Sequence, residues 1–358
     1  MWIHRLYIKN FRNYPTLDIS FDKGINVITG ENGQGKTNLI EAIHFALTGR
    51  SFRTEKPLEI IQKGKEEVFT QVHYDLNAIR HAIQITFGMN GKKITHDATT
   101  YPSFSSLTGT VPTVAITPGD IELIMGAPIA RRRCMNLLIA QHDPLYAHQL
   151  SRYQKALKAR NILLKRNSHQ SIKIYEELLA ESGVYIVQAR LRLIQELSEL
   201  LQYYFFELTQ KKIPVICEYT FKGKIDKAYF LEQHEKNRHQ EERIGSTLFG
   251  PHRDDILFLL DSLDAKLYAS EGQKRALLTS WKLAELKLLK NKTQLDPILF
   301  IDDFAIHLDL YRSKLLETLI QNYPQVFLTT PHNIFEDSSL YFVQNTTVQK
   351  LSSCTVNS

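Results

Sequence analysis

GENGQGKT, residues 30–37, decides the fold. It satisfies GxxxxGK[ST] in full and lies between the β-rich run INVIT (25–29) and a helical pattern beginning at Thr37. In that helix Leu39, Ile40, Ile43, Ala46 and Leu47 repeat on one face, and Gly49 stands where a helix stop belongs. Strand, glycine loop and helix in this order form a phosphate cradle. Gly30, Gly33 and Gly35 permit backbone conformations and close approach that a Cβ would block. The N–H groups through Glu31, Asn32 and Gln34 and the helix N-terminus then face an anion. Lys36 is expected on the β- and γ-phosphates of ATP, and the Thr37 hydroxyl on Mg2+.

Downstream, PILFIDDF (297–304) is a short apolar strand ending in two carboxylates. An acid at a strand end beside a phosphate loop is the Walker B arrangement. Asp302 is expected to hold Mg2+, and Asp303 to orient or deprotonate the attacking water, with Lys36 and Asp303 as the catalytic pair. Between the two motifs lies ASEGQKRALL (269–278), whose Ser270, Gly272 and Gln273 fit the SxGQ signature of ABC-type ATPases. Ser270 and Gln273 also fit a capping box, and the two readings are compatible, because a capped helix end is an anion site too. P-loop, signature and Walker B in that order separate ABC-type ATPases from other P-loop families.

The surrounding chain has 358 residues, 44 Lys plus Arg against 38 Asp plus Glu, and 43% hydrophobic residues. These values exclude a disordered chain, a collagen and a disulfide scaffold. Three scattered cysteines show no CxxC spacing and thirteen histidines no metal-ligand spacing. No run of 18 apolar residues occurs, so a soluble cytoplasmic protein without a membrane partner is expected. The net charge of +6 leans weakly toward an anionic partner. Strand texture fills the chain to about residue 125, with a hairpin around Asp75–Ala78. Helical texture follows from Ala130 to about Gln210, and strand texture returns after Gly250. The expected fold class is α/β: an ABC-type ATPase head with a P-loop mixed sheet and helices, interrupted by a mostly helical lid lobe. The expected divisions are 1–129 with Walker A, 130–245 as the lid, and 246–358 with signature and Walker B. Residues 232–245 read as an exposed charged passage and 344–358 as a frayed tail. One helix over 172–209 would extend about 57 Å, but Gly183 and the lack of heptads argue against a long coiled coil.

The motifs in this order resemble the RecF family of bacterial recombination-mediator ATPases, related to SMC proteins. The resemblance runs from LYIKNFRNY (6–14) through GENGQGKTNLIEAI (30–43), ITPGDIELIMGAP (116–128) and DPLYAHQLSRYQKALKARNILLK (143–165). It continues in GPHRDD (250–255), ASEGQKRALL and ILFIDDF. YxxALKxRNxLL and GPHRDD are its most specific pieces. It implies a slow, regulatory ATPase in DNA repair, recombination and replication. Such a protein dimerises on ATP, binds duplex or gapped DNA, and works with RecO and RecR mediators to load the recombinase. It also implies that the signature completes the ATP site of a second subunit, and that Arg12 lies near the nucleotide phosphates. Three positions depart from or qualify the pattern. Asn136 stands where the family usually has Asp. Ile306-His307-Leu308-Asp309 replaces SxLD after Walker B. Thr329 and Thr330 stand where transporters carry a phosphate-sensing His, which agrees with the family.

From Pro144 to Tyr175 there is no acid, while Arg152, Lys155, Lys158, Arg160, Lys165, Arg166 and Lys173 accumulate. On a wheel of ~100° per residue, all but Arg160 and Lys173 share an arc of roughly 140°. Leu150, Tyr153, Leu157 and Leu164 fall opposite. Arg131, Arg132 and Arg133 add three charges upstream. These residues, with Arg160 and Lys173 set aside, are the candidate DNA contacts, made to the backbone and without sequence preference. His252 and Arg253 in GPHRDD fit either a turn network or a DNA contact.

Overall fold

The computed structural model describes residues 1–166, 171–303, 310–331, 335 and 337–351. In chain order the elements begin β1 (Trp2–Phe11), β2 (Tyr14–Ser20), β3 (Gly24–Thr29), α1 (Lys36–Thr48), β4 (Glu67–Leu76), β5 (Ile79–Gly88), β6 (Gly91–His96), β7 (Thr99–Tyr101) and β8 (Thr113–Ile116). Helices follow: α2 (Glu122–Met125), α3 (Pro128–Ala140), α4 (Pro144–Lys165) and α5 (Ile172–Thr209), then β9 (Val215–Tyr219) and α6 (Lys227–Ile244). The chain continues as β10 (Ile256–Leu260), β11 (Leu263–Asp264), α7 (Ala265–Tyr268), α8 (Glu271–Thr293) and β12 (Ile298–Ile301). It closes with α9 (Leu310–Ile320), β13 (Gln325–Thr329), β14 (Ser338–Gln344) and β15 (Thr347–Leu351).

Two compact units result. The first is Met1–Ile121 with Tyr204–Lys211 and Glu271–Ser358; the second is Glu122–Tyr203 with Lys212–Ser270. The packing therefore divides the chain at 121/122 and 270/271 rather than at 129/130 and 245/246. The physical reason is that β10 pairs antiparallel with β9 and carries β11 at its other edge, which keeps 250–264 with the segment before it.

The first unit holds two six-stranded sheets. One is antiparallel, in the order β2-β1-β4-β5-β6-β7, and the other is mixed, in the order β15-β14-β3-β13-β12-β8. Asn77 and Ala78 both take positive φ, 50° and 64°, so the hairpin expected at 75–78 closes on a tight two-residue turn between β4 and β5. Helix α1 buries Leu39, Ile40, Ala42, Ile43, Phe45, Ala46 and Leu47, more than one stripe. They share a core with Ile3, Leu6, Ile8, Val68 and Val72 of one sheet and Ile28, Phe300, Phe327 and Tyr341 of the other. A helix covered on two sides has no polar face to spare. Buried Gln325 ties the sheets: its Oε1 accepts from Ile3 N at 2.7 Å and its Nε2 donates to Ile3 O at 2.8 Å.

The tail is a correction. Residues 347–351 form β15, antiparallel to β14, because Val343 and Val348 lie opposite each other and give the strand a side to pack. The remainder of the tail lies outside the described residues. The charged passage 232–245 is likewise part of α6, which buries Phe230, His234 and Glu241. Helix α5 is continuous across Gly183, where an added Cβ would stand 2.7 Å from Phe230 Cε1, so that glycine makes room for a ring.

Candidate functional site

Strands β8, β12, β13 and β3 are mutually parallel in register, so their carboxyl ends align. The phosphate loop follows β3, Asp302 follows β12 and Thr329 ends β13. Ligands of open α/β sheets are bound at such an edge. The Thr37 hydroxyl donates to Asp302 Oδ1 at 2.8 Å, and the Thr329 hydroxyl donates to the same oxygen at 2.9 Å. Thr329 Oγ1 also accepts from Asp303 N at 2.7 Å, fixing the turn after β12, where Asp303 sits at φ 57°. Burial pushes the Asp302 carboxyl up, the two threonine hydroxyls pull it back, and neighbouring Asp303 pushes it up again. Sequence reasoning named Thr329 only as a transporter-excluding residue. Its bridge between Asp302 and Asp303 follows from β13 lying between β3 and β12, which sequence order does not reveal.

Lys36 Nζ donates to Gly30 O at 2.6 Å and Glu31 O at 2.9 Å, spanning the loop it closes. Burial lowers its pKa, and Asp303 and Asp302 raise it. Gly30 at φ 143° passes so near β14 that a Cβ would lie 2.3 Å from Val343 O. Gly35 at φ 114° leaves 2.8 Å between such a Cβ and Asn13 Nδ2. Both positions exclude any other residue. Gln34 Oε1 accepts from Asn345 N at 2.8 Å, so the β14–β15 turn holds the loop tip. The Tyr14 hydroxyl donates to Gly35 O at 3.1 Å, and Asn38 Nδ2 donates to Asn13 Oδ1 at 2.8 Å. NFRNY is thus the rear support of the loop.

Arg12 is anchored on the helix that follows the phosphate loop. Its guanidinium is bidentate on buried Glu41, at 2.7 and 3.0 Å, and donates to Glu59 O at 2.6 Å. Ser51 Oγ and Arg53 also donate to Glu41. A buried carboxylate on α1 requires such partners, and Arg12 is one of them.

The donor set fits Mg2+ with ATP. One hydroxyl and one carboxylate are hard oxygen ligands of the kind Mg2+ takes beside phosphates, and they already face each other below a glycine cradle. Thr37 and Asp302 would hold the ion, which would supply charge neutralisation at the phosphates. Asp303 follows Asp302 directly at the sheet edge, and Ser270 immediately precedes the first residue of α8. Gly272 and Gln273 lie in that helix's first turn. Ile306, His307, Leu308 and Asp309 lie outside the described residues.

In the second unit the basic residues divide. Arg131, expected on DNA, is buried and bidentate on Asp255 at 2.6 and 2.8 Å, and it donates to Gly126 O at 3.0 Å. It is a packing element, because its guanidinium is taken up by the fork with Asp255 and by Gly126 O. Arg132 donates to Asp254 O at 2.8 Å, and burial lowers its pKa. Arg152 pairs with Glu181 at 2.7 Å. Arg133, Lys155, Lys158, Lys165 and Arg166 are exposed, while Arg160, set apart by the wheel, is fully buried between Glu176 and Glu241. GPHRDD is a turn network. His252 meets the Tyr153 hydroxyl at 2.6 Å and Thr247 O at 3.0 Å, and burial brings its pKa down to about 4. Asn136 Oδ1 accepts from Arg190 Nη2 at 2.9 Å and the Tyr146 hydroxyl at 2.6 Å. Asn at this position keeps both bonds of a carboxylate without its charge.

Residues 5–321 match the family described as AAA domain. The DNA replication and repair protein RecF of Protochlamydia amoebophila is 37% identical over 344 residues, covering 94% of this chain and 96% of its own. That of Halalkalibacterium halodurans is 34% identical over 371 residues, covering 98% and 100%. The chain belongs to the RecF family. A solved structure of the recombination mediator protein RecF with ATP in the RecFOR pathway superposes with a TM-score of 0.90, at 28% identity over 98% of each chain. An SMC head bound to the C-winged helix domain of ScpA superposes with a TM-score of 0.59, at 15% identity over 99% of this chain and 98% of its own. The fold is therefore the ABC/SMC-type ATPase head shared with the RecF family. No helix among the described residues is long and apolar enough to cross a membrane.

Proposed function

We propose that the protein is an ATP-driven DNA-binding switch of recombinational repair and replication-fork maintenance. On this reading it is a slow, DNA-regulated ATPase of the cytoplasm. It binds duplex or gapped DNA as a homodimer with two ATP molecules held between its heads, and it helps load the recombinase through RecO- and RecR-type partners. The observation that carries the reading is the contact of Thr37 with Asp302 at 2.8 Å, which joins Walker A to Walker B across 265 residues of sequence. Lys36, the loop N–H groups from Gly30 to Thr37, and Mg2+ at Thr37 and Asp302 bind the nucleotide. Asp303 positions the water, and Ser270, Gly272 and Gln273 meet the nucleotide of the other subunit. Because two helix N-termini share the γ-phosphate charge, hydrolysis releases the pair.

Sedimentation with ATP, Mg2+ and a gapped duplex is the direct test. The protein should move from monomer to DNA-bound dimer only when ATP is present, and Lys36→Ala should stay monomeric. ATP-independent sedimentation behaviour would overturn the switch and leave a plain DNA-binding module.

The DNA face reduces to the exposed residues: Lys155, Lys158 and Lys165 on α4, Arg166 at its C-terminal cap, and Arg133 on α3. Reversing Lys155, Lys158 and Lys165 to Glu should weaken duplex binding at every sequence. It should lower the slope of log affinity against log salt by about 0.9 per lost phosphate contact. Arg131→Ala should behave oppositely. It strands Asp255 without its bidentate partner, costing about 3–5 kcal/mol of stability, while the salt slope of the folded fraction stays as it was. Equal slopes in wild type and the triple variant would return α4 to an ordinary solvated face.

A further inference from the structure

Thirteen histidines spread along the chain suggest no metal site by spacing, yet the antiparallel sheet of the first unit gathers two of them. Register places Tyr74 of β4 opposite His81 of β5, and Ile83 opposite His96 of β6. His81 and Ile83 are two residues apart, so Tyr74, His81 and His96 share one face. Ile94 pairs with Tyr101 and puts that hydroxyl on the same face. Asp97 follows His96 in the β6–β7 turn at φ 52°.

The three donor groups converge. His81 Nδ1 lies 2.8 Å from Asp97 Oδ2, His96 Nε2 lies 3.7 Å from the same oxygen, and one atom from each residue lies within 4.8 Å of the others. Zinc bonds of about 2.0–2.1 Å at tetrahedral angles separate ligand atoms by about 3.3 Å. The two distances straddle that value, so a single ion reaches all three with small side-chain adjustments.

The surroundings hold these atoms in place. Asp97 Oδ1 accepts from Ala82 N at 2.8 Å, which turns Oδ2 toward the histidines. His96 Nδ1 lies 3.3 Å from the Tyr101 hydroxyl, an outer partner of the kind that fixes the tautomer of a ligating ring. The Tyr74 hydroxyl, 2.8 Å from His96 Nε2, is the group that must give up its bond when that nitrogen takes an ion. Side-chain exposures of 23% for His81, 17% for His96 and 45% for Asp97 leave solvent access and a fourth position for water.

We propose that His81, His96 and Asp97 form a binding site for a late first-row divalent cation, Zn2+ by its preference for imidazole with carboxylate, at the end of the antiparallel sheet. The site is independent of the nucleotide: its ligands come from β5, β6 and the turn after β6, none of them from the phosphate loop or Walker B. Binding would cross-link β5 to the β6–β7 turn.

Cobalt reports the geometry. The full-length protein, free of nucleotide and with excess Mg2+ occupying hard oxygen sites, is titrated with Co2+. One equivalent should bring up the intense visible bands of four-coordinate Co2+, and Zn2+ should displace them. His81→Ala and Asp97→Asn should each weaken binding by about a hundredfold or more, exceeding what loss of an outer partner costs. Asp97→Asn retains the oxygen that accepts from Ala82 N, so its circular dichroism should match wild type and separate ligand loss from misfolding. ATP binding should be the same in all three proteins. No visible band at stoichiometric Co2+, or a band that both substitutions leave intact, would overturn the site.

Discussion

Asp302→Asn should reduce ATP turnover at least about a hundredfold, the scale of losing one preorganised electrostatic contact. The nucleotide-free protein should at the same time become as stable as wild type or more so. Both outcomes have one origin. Asp302 is buried, and its carboxyl is held above the ordinary 3.8 chiefly by burial, with Asp303 adding repulsion. Asn keeps an Oδ1 for the hydroxyls of Thr37 and Thr329, and it discards the desolvated charge. The charge is what Mg2+ requires, so function is lost where stability is gained. The sign with pH follows from the raised value. Between the ordinary 3.8 and the raised pKa the folded state binds more protons than the unfolded one, so wild-type stability falls as pH rises through that window. The stability advantage of Asp302→Asn should therefore be absent below 3.8, grow across the window and stay level above it. Denaturant unfolding at several pH values measures it. An advantage that is constant with pH, or a variant less stable than wild type at neutral pH, would mean that the Asp302 charge is not penalised.

Much of this site is legible in the sequence because its chemistry is local. GENGQGKT carries its own strand, loop and helix start, and PILFIDDF carries strand and acids together. Both motifs read correctly as elements. What the sequence hides is whatever depends on strand order. Thr329 reaches Asp302 only because β13 lies between β3 and β12, and Asn345 reaches Gln34 only because β14 lies on the other side of β3. His81, His96 and Asp97 meet through a register that spacing cannot express. Buried charge is hidden for a second reason. Arg12, Arg131 and Arg160 look like any basic residues, and each is claimed by an acid distant in sequence: Glu41, Asp255, and Glu176 with Glu241. The wheel removed Arg160 from the basic face correctly, because it sits in α4 opposite the lysines. It could not remove Arg131, whose partner lies 124 residues away.

Asn136 illustrates how such an interior tolerates a changed residue. Arg190 is almost wholly buried and donates to Pro251 O at 2.7 Å, to Asn136 Oδ1 at 2.9 Å and to the Tyr146 hydroxyl at 3.2 Å. The carboxylate nearest its guanidinium is Asp254, at 3.9 Å. Neutral acceptors satisfy most of its donors, and among the described residues Asp254 is the acid paired with its charge. A second carboxylate at 136 is dispensable on that count.

Ser270→Arg should leave ATP binding by the monomer nearly intact and abolish ATP-dependent dimerisation. On the proposed reading the start of α8, with exposed Ser270 just before it, is the end offered to the nucleotide of a second subunit. On the same reading the monomer's own nucleotide contacts come from residues 30–37 and Asp302, none of which the substitution alters. An arginine at this position places bulk where the opposing phosphate must approach, and it removes a small hydroxyl that a helix N-terminus can present with its N–H groups. Asp303→Asn should have the reverse effect: ATP bound, hydrolysis stalled, and the dimer persisting on DNA. The pair separates the two uses of a helix end. If Ser270 serves only to cap α8, then Ser270→Arg costs about 1 kcal/mol of stability and dimerises with ATP like wild type. Equilibrium sedimentation of both variants with and without ATP distinguishes the outcomes, and normal dimerisation of Ser270→Arg would reduce the signature to a capping box.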